Sequence, residues 1–293
     1  VRVIGAGLAG SEAALQLASF GFDVDLYEMR PEKPTPAHRG GALAQLVCSN
    51  SFKGLALTSA HGLLKNELNM LGSFLLKAAE RTAVPAGESL TVNRDLFSEE
   101  VERLILACPN ITLHREEVKT LEGEFPTIVA AGPLASDTLA DDIFKRLGSE
   151  RLHFFDAIAP VVETESIDFE HAFYKNRWEK GETEDFINCP LDKETYDLFV
   201  QKLREAESIE PRPFEKHELF EGCLPIEEMA RRGTETLRYG PMRPVGLGIN
   251  PTGKKWHAVI QLRAENAQKT LFNMVGFQTR LKWGTQKEIF SMV

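Results

Sequence analysis

The sequence predicts an α/β fold, a Rossmann-like dinucleotide-binding domain interrupted by an inserted α+β domain. Three observations predict it. A glycine-rich turn, Gly5-Ala6-Gly7-Leu8-Ala9-Gly10, stands between a short apolar strand and a helical pattern at the front of the chain. Two later apolar stretches, Ile111–Leu113 and Thr127–Ala130, read as strands that rejoin the same parallel sheet. From Asp156 the composition changes, becoming acidic and carrying the aromatics Phe169, Phe173, Tyr174 and Trp178.

The first unit is read residue by residue. Val1–Ile4 is the strand, and Ser11–Phe20 has helical spacing with Ala14, Leu15, Leu17 and Ala18 apolar. Gly21 closes that helix, Val24–Tyr27 is the second strand, and Glu28 stands at its end, 18 positions after Gly10. This is a complete β-α-β unit of the kind the dinucleotide fingerprint demands. Gly5 and Gly7 allow the tight turn and let backbone N–H groups approach a pyrophosphate at the positive end of the helix, and Ala6 between them joins the candidate binding set. Gly10 lets helix and strand pack closely, and Glu28 can accept hydrogen bonds from ribose hydroxyls. Met29 and Arg30 follow it directly and join the candidate binding set.

On spacing alone the fingerprint fits FAD or NAD. The longer pattern, with Ala14, Leu17-Ala18, Gly21, Val24 and Glu28 after the glycines, resembles the N-terminal signature of the two-dinucleotide-fold flavoproteins. In that group the chain returns beside the cofactor at a strand such as Thr127–Ala130, read here as buried, followed by Ala131-Gly132-Pro133; Gly132 is therefore a cofactor-binding candidate. No second GxGxxG follows a strand, and Gly246-Leu247-Gly248 reads as a loop before Asn250-Pro251. A nicotinamide reductant would then visit transiently.

The remaining elements follow in order. Pro31-Glu32-Lys33-Pro34-Thr35-Pro36 is a loop, and helical spacing runs over His61–Ala79 and Asp95–Ala107. Residues 1–155 are assigned to the FAD-binding domain, 156–272 to the inserted domain, and 273–293 to a return into the first domain through Met274–Thr279. No internal repeat or low-complexity tract is visible.

With 293 residues and 43% hydrophobic content, the chain can bury one large or two moderate cores. No run of eighteen apolar residues occurs, which leads to the expectation of a cytoplasmic protein without a membrane partner. The first residue is not Met, so processing at the front is expected. Four cysteines, at 48, 108, 189 and 223, show neither a CxxC pair nor metal-ligand spacing, so free thiols and no metal are expected. The net charge is −9, but from Phe220 onward there are 11 Lys and Arg against 6 Glu and no Asp. A basic C-terminal part on an acidic protein suits a polyanion that touches one face.

Cys108 and Cys189 read as small buried or loop residues. Cys48 stands in Leu46-Val47-Cys48-Ser49-Asn50-Ser51, a cluster of small polar groups costly to bury without a partner. Cys223 stands in Phe220-Glu221-Gly222-Cys223-Leu224-Pro225-Ile226-Glu227. Pro225 suits the first position of a helix, Glu227 and Glu228 its first turn, Arg231 and Arg232 its last, and Gly233 its stop. A thiol just ahead of a helix N-terminus, with Arg243 folding back, is placed to act as a nucleophile, whereas Glu221 opposes that activation.

The blocks VIGAGLAGSEAA, YEMRP, LVCSNS, FEGCLPIE, YGPMRPVGL and VGFQTRLKW, spread in order from Val1 to Trp283, resemble the folate- and FAD-dependent tRNA (uracil-5-)-methyltransferases. The resemblance implies that methylenetetrahydrofolate supplies the carbon, that FAD reduced by NAD(P)H supplies electrons, and that the substrate is a T-loop uridine of tRNA rather than DNA. It also implies that Cys223 is the nucleophile that adds to carbon 6 of uracil and that Cys48 is the second thiol, proposed as the base. A target base must be extruded, so a basic rim is expected, with Arg231, Arg232, Arg238, Arg243, Lys254 and Lys255 as candidates. Family members continue beyond the last block with a glycine-rich segment that closes over the flavin, so this chain is expected to lack its C-terminal part. Three alternatives remain at this point. One is the related flavoprotein family acting on the tRNA wobble uridine, against which the FEGC and LVCSNS blocks argue. The others are ribosomal RNA methylation by the same chemistry and a catalytically incomplete flavin- or RNA-binding fragment.

Overall fold

A computed structural model describes residues 1–148, 159–209, 224–249 and 253–293. Contacts divide the chain into two compact units, Val1–Ala83 with Val92–Phe154, and Val84–Thr91 with Phe155–Val293.

The first unit opens with β1 (Arg2–Ile4), α1 (Leu8–Ser19) and β2 (Val24–Tyr27), within two or three residues of the boundaries the sequence predicts. It continues with β3 (Ser51–Gly54), α2 (Ala60–Met70) and α3 (Phe74–Arg81). The short strands β4 (Ala83–Val84) and β5 (Ser89–Val92) follow and fall mostly in the second unit; the first resumes with α4 (Arg94–Leu106), β6 (Ile111–His114), β7 (Thr127–Val129) and α5 (Asp137–Leu147). β6-β2-β1-β7 form a parallel sheet in that order, with Val3 opposite both Leu26 and Ile128. The chain moves outward from β1 on one side through β2 and β6, then crosses back to place β7 on the other. The C-terminal ends of β1 and β7 therefore flank a topological switch point, where open α/β sheets hold ligands.

Two expectations for this unit are corrected. The single helix expected over 61–79 is two helices. Gly72 takes a left-handed φ of +80°, Ser73 Oγ accepts from Leu76 N at 3.2 Å, and Glu12 of α1 accepts from Phe74 N and Leu75 N, which caps α3 separately. The strand β7, expected to be buried, is half exposed at Ile128 (39%) and Val129 (41%), because among the described residues it pairs on one side only, with β1. The other helices carry their own start signals. Asn93 Oδ1 accepts from Asp95 N and Leu96 N at 3.1 Å at the head of α4, and Ser136 caps α5, which ends at left-handed Gly148.

The second unit holds β8 (Val161–Glu163), β9 (Phe173–Tyr174), β10 (Phe186–Leu191) and α6 (Lys193–Glu205). Then come α7 (Ile226–Arg232), α8 (Thr236–Tyr239), β11 (Ala258–Ala264), β12 (Leu271–Met274) and α9 (Trp283–Phe290). Its antiparallel sheet runs β8-β12-β11-β10-β9. Tyr196, Phe199, Val200 and Leu203 recur on one face of α6 and are buried with Ile260, Leu262, Phe272 and Phe277. Each such fully buried apolar side chain contributes roughly 1.5–3 kcal/mol. Residues 273–293, expected to return to the first domain, belong to this second unit. The physical reason is pairing: β12 lies between β11 and β8, and Phe290 of α9 packs against Phe199 and Phe277.

Candidate functional site

A cavity of about 310 Å³ lies in the first unit, at the C-terminal ends of β1, β2 and β7. Its floor is the Gly5–Gly10 turn, and its wall is the segment Ala130–Ser136 after β7. The three fingerprint glycines are there for different reasons. Gly5 has φ +96°, and a Cβ on it would sit 2.6 Å from the Ala130 carbonyl oxygen. A Cβ on Gly10 would sit 1.7 Å from the Gly5 carbonyl oxygen, so helix and turn touch backbone to backbone. Gly7 has an ordinary φ of −73°, and a Cβ there would meet nothing within 4 Å. The protein's own packing gives no reason for glycine at 7, whereas a ligand seated against the turn does. Gly132, left-handed at φ +66°, is likewise open on the cavity side.

Glu28 is 5% exposed and Arg30 3% exposed, and both line the cavity. Glu28 Oε2 accepts from Ala6 N at 3.2 Å, and Oε1 accepts from Arg30 N at 3.1 Å and Arg30 Nε at 2.9 Å. A carboxylate oxygen can accept two hydrogen bonds, so Oε2 retains capacity for a ribose hydroxyl. Arg30 Nη1 is buried with no hydrogen-bond partner among the described residues. An orphaned buried guanidinium nitrogen is costly unless an acceptor arrives. Together with the first-turn N–H groups of α1, which have no intrahelical acceptor, it makes the cavity fit the diphosphate and ribose of a dinucleotide. Met29 lies between these two residues and also lines the cavity.

Sequence reading missed Thr35 and His38, which the proline-rich loop brings into the same cavity. Thr35 Oγ1 accepts from His38 N at 3.1 Å and shares a second hydrogen bond with His38 Nδ1 at 2.7 Å, whose direction follows the ring tautomer. Burial, then the nearby Arg30 charge, hold the His38 pKa below its ordinary value, which favours the neutral ring. Arg115 fixes the loop by donating to the Arg30 and Gly41 carbonyls and to Glu102 Oε1 at 2.6 Å. The only signal in the sequence was a histidine soon after a run of prolines, which specifies no contact.

Cys48 is half-buried and follows Val47, which lines the cavity. Its frame is held on both sides. Arg94 Nη1 donates to the Leu46 and Val47 carbonyls at 3.1 and 3.4 Å, while Asn50, fully buried, exchanges hydrogen bonds with Val92. Cys189 lies in β10, where burial pushes its thiol up to about 11, and Cys108 is half-buried after α4. Cys189 is thus inert at neutral pH.

Cys223 lies outside the described residues. The helix after it is present, but Pro225 is its N-cap rather than its first residue, and it has seven residues, ending at Gly233 as expected. Ile226 N donates to the Gln278 carbonyl at 2.8 Å. Glu227, 1% exposed, accepts from Thr279 Oγ1 at 2.9 Å and Arg280 N at 2.7 Å. The described residues 224–227 and the VGFQTRLKW block are therefore one structural feature, with Glu227 satisfying the backbone of Arg280.

The six basic candidates differ. Arg231 is paired with Glu228 at 2.5 Å, and Arg238 with Glu235 at 2.8 Å, which weakens both as phosphate contacts. Arg243, Lys254 and Lys255 are exposed on the 241–255 stretch, and Arg232 is exposed at the end of α7. No helix among the described residues is long and apolar enough to cross a membrane.

The Glu28–Arg30 pair makes a direct prediction. Glu28→Ala strands a buried guanidinium and is expected to lower unfolding free energy by about 3–5 kcal/mol. Urea titration followed by circular dichroism measures it; a loss below about 1 kcal/mol, the level of an exposed pair, would show that the pair is not buried in solution.

A protein-family model described as "Glucose inhibited division protein A" matches residues 1–293. "Methylenetetrahydrofolate--tRNA-(uracil-5-)-methyltransferase TrmFO" of Lactobacillus helveticus is 50% identical over all 293 residues, which span 72% of that protein. The proteins of the same name from Dictyoglomus thermophilum and Aquifex aeolicus are each 52% identical, and the chain spans 66% of each. Among solved structures, Aquifex aeolicus GidA in its form I crystal aligns with a TM-score of 0.68 at 16% identity, covering 99% of this chain and 54% of that one. The form II crystal gives 0.67, with 52% of that chain covered. This chain thus spans about two thirds of its curated relatives and about half of the GidA chains, whose likeness shows the fold. A match over every residue to the family model, with half or more of the positions identical to the named methyltransferases, leads to one conclusion: the chain belongs to the glucose-inhibited division protein A family, in the group of the methylenetetrahydrofolate–tRNA-(uracil-5-)-methyltransferases.

Proposed function

We propose that the chain holds FAD in the first-unit cavity and carries out folate-dependent C5-methylation of a T-loop uridine in tRNA. The observation that carries the cofactor assignment is the pairing of an open Gly7 with the buried, unpartnered Arg30 Nη1 in one cavity at the switch point. The reaction rests on the 50–52% identity to proteins named for it.

Gly7 and the first turn of α1 would hold the diphosphate, Glu28 Oε2 a ribose hydroxyl, and Arg30 Nη1 a phosphate or ribose oxygen, with the neutral His38 ring as a further polar group. When bound and reduced by NAD(P)H, FAD supplies the electrons that turn the carbon of methylenetetrahydrofolate into a methyl group. The Cys223 thiolate adds to carbon 6 of uracil, forming the S–C bond and moving the C5–C6 π pair onto C5 and the adjacent carbonyl, which makes C5 nucleophilic. As C5 bonds to the methylene carbon, one of that carbon's two C–N bonds to the folate opens; Cys48, held beside the cavity by the Arg94 contacts to its loop, then removes the C5 proton, the pair left on C5 expels the Cys223 thiolate, and hydride would replace the remaining C–N bond to complete the methyl group.

The test is the visible spectrum of the purified 293-residue chain after FAD reconstitution. Incubation with methylenetetrahydrofolate, NAD(P)H and a T-loop transcript follows. Flavin absorbance near the usual two bands and methylated uridine are expected. A colourless chain overturns the cofactor assignment; a yellow chain that leaves the transcript unmethylated overturns the reaction assigned to it. Glu28→Gln, which is nearly isosteric and keeps one acceptor oxygen, is expected to remain folded and to retain less flavin.

A further inference from the structure

The block Tyr239-Gly240-Pro241-Met242-Arg243-Pro244-Val245-Gly246-Leu247 does not line the cavity. The structure gives it a built contact. Three residues that follow β9, Lys175, Arg177 and Trp178, lie along residues 243–248. Arg177 Nη1 donates to the Arg243 and Val245 carbonyls at 2.5 and 2.8 Å, and Trp178 N donates to the Gly246 carbonyl at 2.8 Å. The indole rests on bare backbone, since a Cβ on Gly246 would come within 2.8 Å of its Cδ2 and Cε2 atoms. Lys175 Nζ is the nearest neighbour of a Cβ built on Gly248, at 4.0 Å.

This seat holds a large aromatic outward. Trp178 is 61% exposed, and its backbone is left-handed, φ +55°, as is that of Glu179 at +57°. A non-glycine residue takes that conformation at a cost, sustained only where surrounding contacts over-determine it. The surroundings are basic. Lys175, Arg177 and the exposed Arg243 stand against Glu179, which lies 3.8 Å from Lys175 Nζ, and Lys255 is tied to the same loop through its bridge to Ile249. A pre-seated exposed indole within a positive rim is the chemistry that binds unpaired nucleic acid: the ring stacks on a base and the cations meet phosphates. Val245 and Ile249 are exposed on the same loop.

We propose that Trp178, seated on the 243–248 loop, is a stacking platform for an unpaired base of the RNA substrate, with Arg243 on a flanking phosphate. The inference deepens the tRNA reading and rests on it. It is tested by the anisotropy of a labelled T-arm RNA titrated with the 293-residue chain between 50 and 200 mM salt. Trp178→Ala is expected to raise Kd about tenfold without changing the salt slope, and Trp178→Phe to restore most of the affinity. Arg243→Ala is expected to weaken binding and reduce the slope by about one. RNA is also expected to quench the intrinsic fluorescence of the parent more than that of Trp178→Phe, which tests the platform even if the alanine variant folds poorly. Unchanged affinity in Trp178→Ala with a binding parent overturns the platform alone, as does equal quenching in parent and Trp178→Phe. A variant that alters sedimentation but not RNA affinity assigns the face to a second copy of the chain and overturns the proposal. A parent that binds no T-arm RNA overturns the tRNA reading and the platform with it.

Discussion

Gly7→Ala is expected to leave the melting temperature within about 4 °C of the parent while flavin retention falls at least about tenfold, and Gly10→Ala is expected to lose both fold and flavin. The two substitutions add the same methyl group three residues apart. At Gly7 the backbone conformation suits alanine and the new Cβ meets nothing within 4 Å. The loss of a glycine at an N-cap and the lower entropy of the unfolded chain are each worth less than about 1 kcal/mol and oppose one another. The methyl would, however, stand where a diphosphate must approach the first-turn N–H groups. At Gly10 the Cβ would lie 1.7 Å from the Gly5 carbonyl oxygen and 2.9 Å from its carbon. Both atoms are backbone in the turn that carries β1 into α1, so relief requires separating helix from sheet, at a cost of about 3 kcal/mol or more. Thermal melts and flavin absorbance on the same preparations decide the matter. A Gly7→Ala protein that keeps its flavin would show that the ligand does not press against this turn, and a stable Gly10→Ala protein would show that the helix can slide.

The first βαβ unit was legible because its determinants are local. Period, turn glycines and a closing glycine fix φ angles and faces within thirty residues, and β2 falls on Val24–Tyr27 as expected. The features that escaped depend on contacts remote in sequence. Glu12 caps α3 from 62 positions away, which splits a segment whose hydrophobic spacing alone reads as one helix. β7 has apolar residues suited to a buried strand, yet its place at the edge of the sheet is set by topology. The stretch 273–293 contains a glycine-bounded apolar strand that could join either unit. Its pairing with β11 and β8 placed it in the second. Of the residues that line the cavity, Gly5, Gly7, Glu28 and Gly132 were legible from the fingerprint and the strand after it, as was the packing role of Gly10. His38 was not, since its relevance comes from a loop that Arg115 pins from across the sequence.

Cys223→Ala is expected to abolish covalent capture of RNA containing 5-fluorouridine, whereas Cys48→Ala is expected to preserve it. The proposed roles require this difference. Capture needs a thiolate to add at carbon 6 and the resulting C5 nucleophile to take up the one-carbon unit. Fluorine at C5 then blocks the only step assigned to Cys48, removal of a C5 proton, so the protein–RNA bond persists without that thiol. On natural RNA both variants are expected to lose methylation, Cys223→Ala by roughly 10⁴-fold or more, the scale seen when a covalent nucleophile is removed. The structure supports a control against simple misplacement. The α7 helix after Cys223 is fastened to residues 278–280 by Ile226 N and by the buried Glu227 carboxylate, neither of which involves the thiol. Cys223→Ala should therefore melt with the parent, while Glu227→Ala, which strands Arg280 N and the Thr279 hydroxyl, should lose about 3 kcal/mol. Denaturing gels of the flavin-loaded chain with fluorinated RNA read the outcome. An adduct in Cys223→Ala removes that residue as the nucleophile, and its absence in Cys48→Ala makes Cys48 a participant before the proton is lost, with the base to be sought among the other groups that face the cavity.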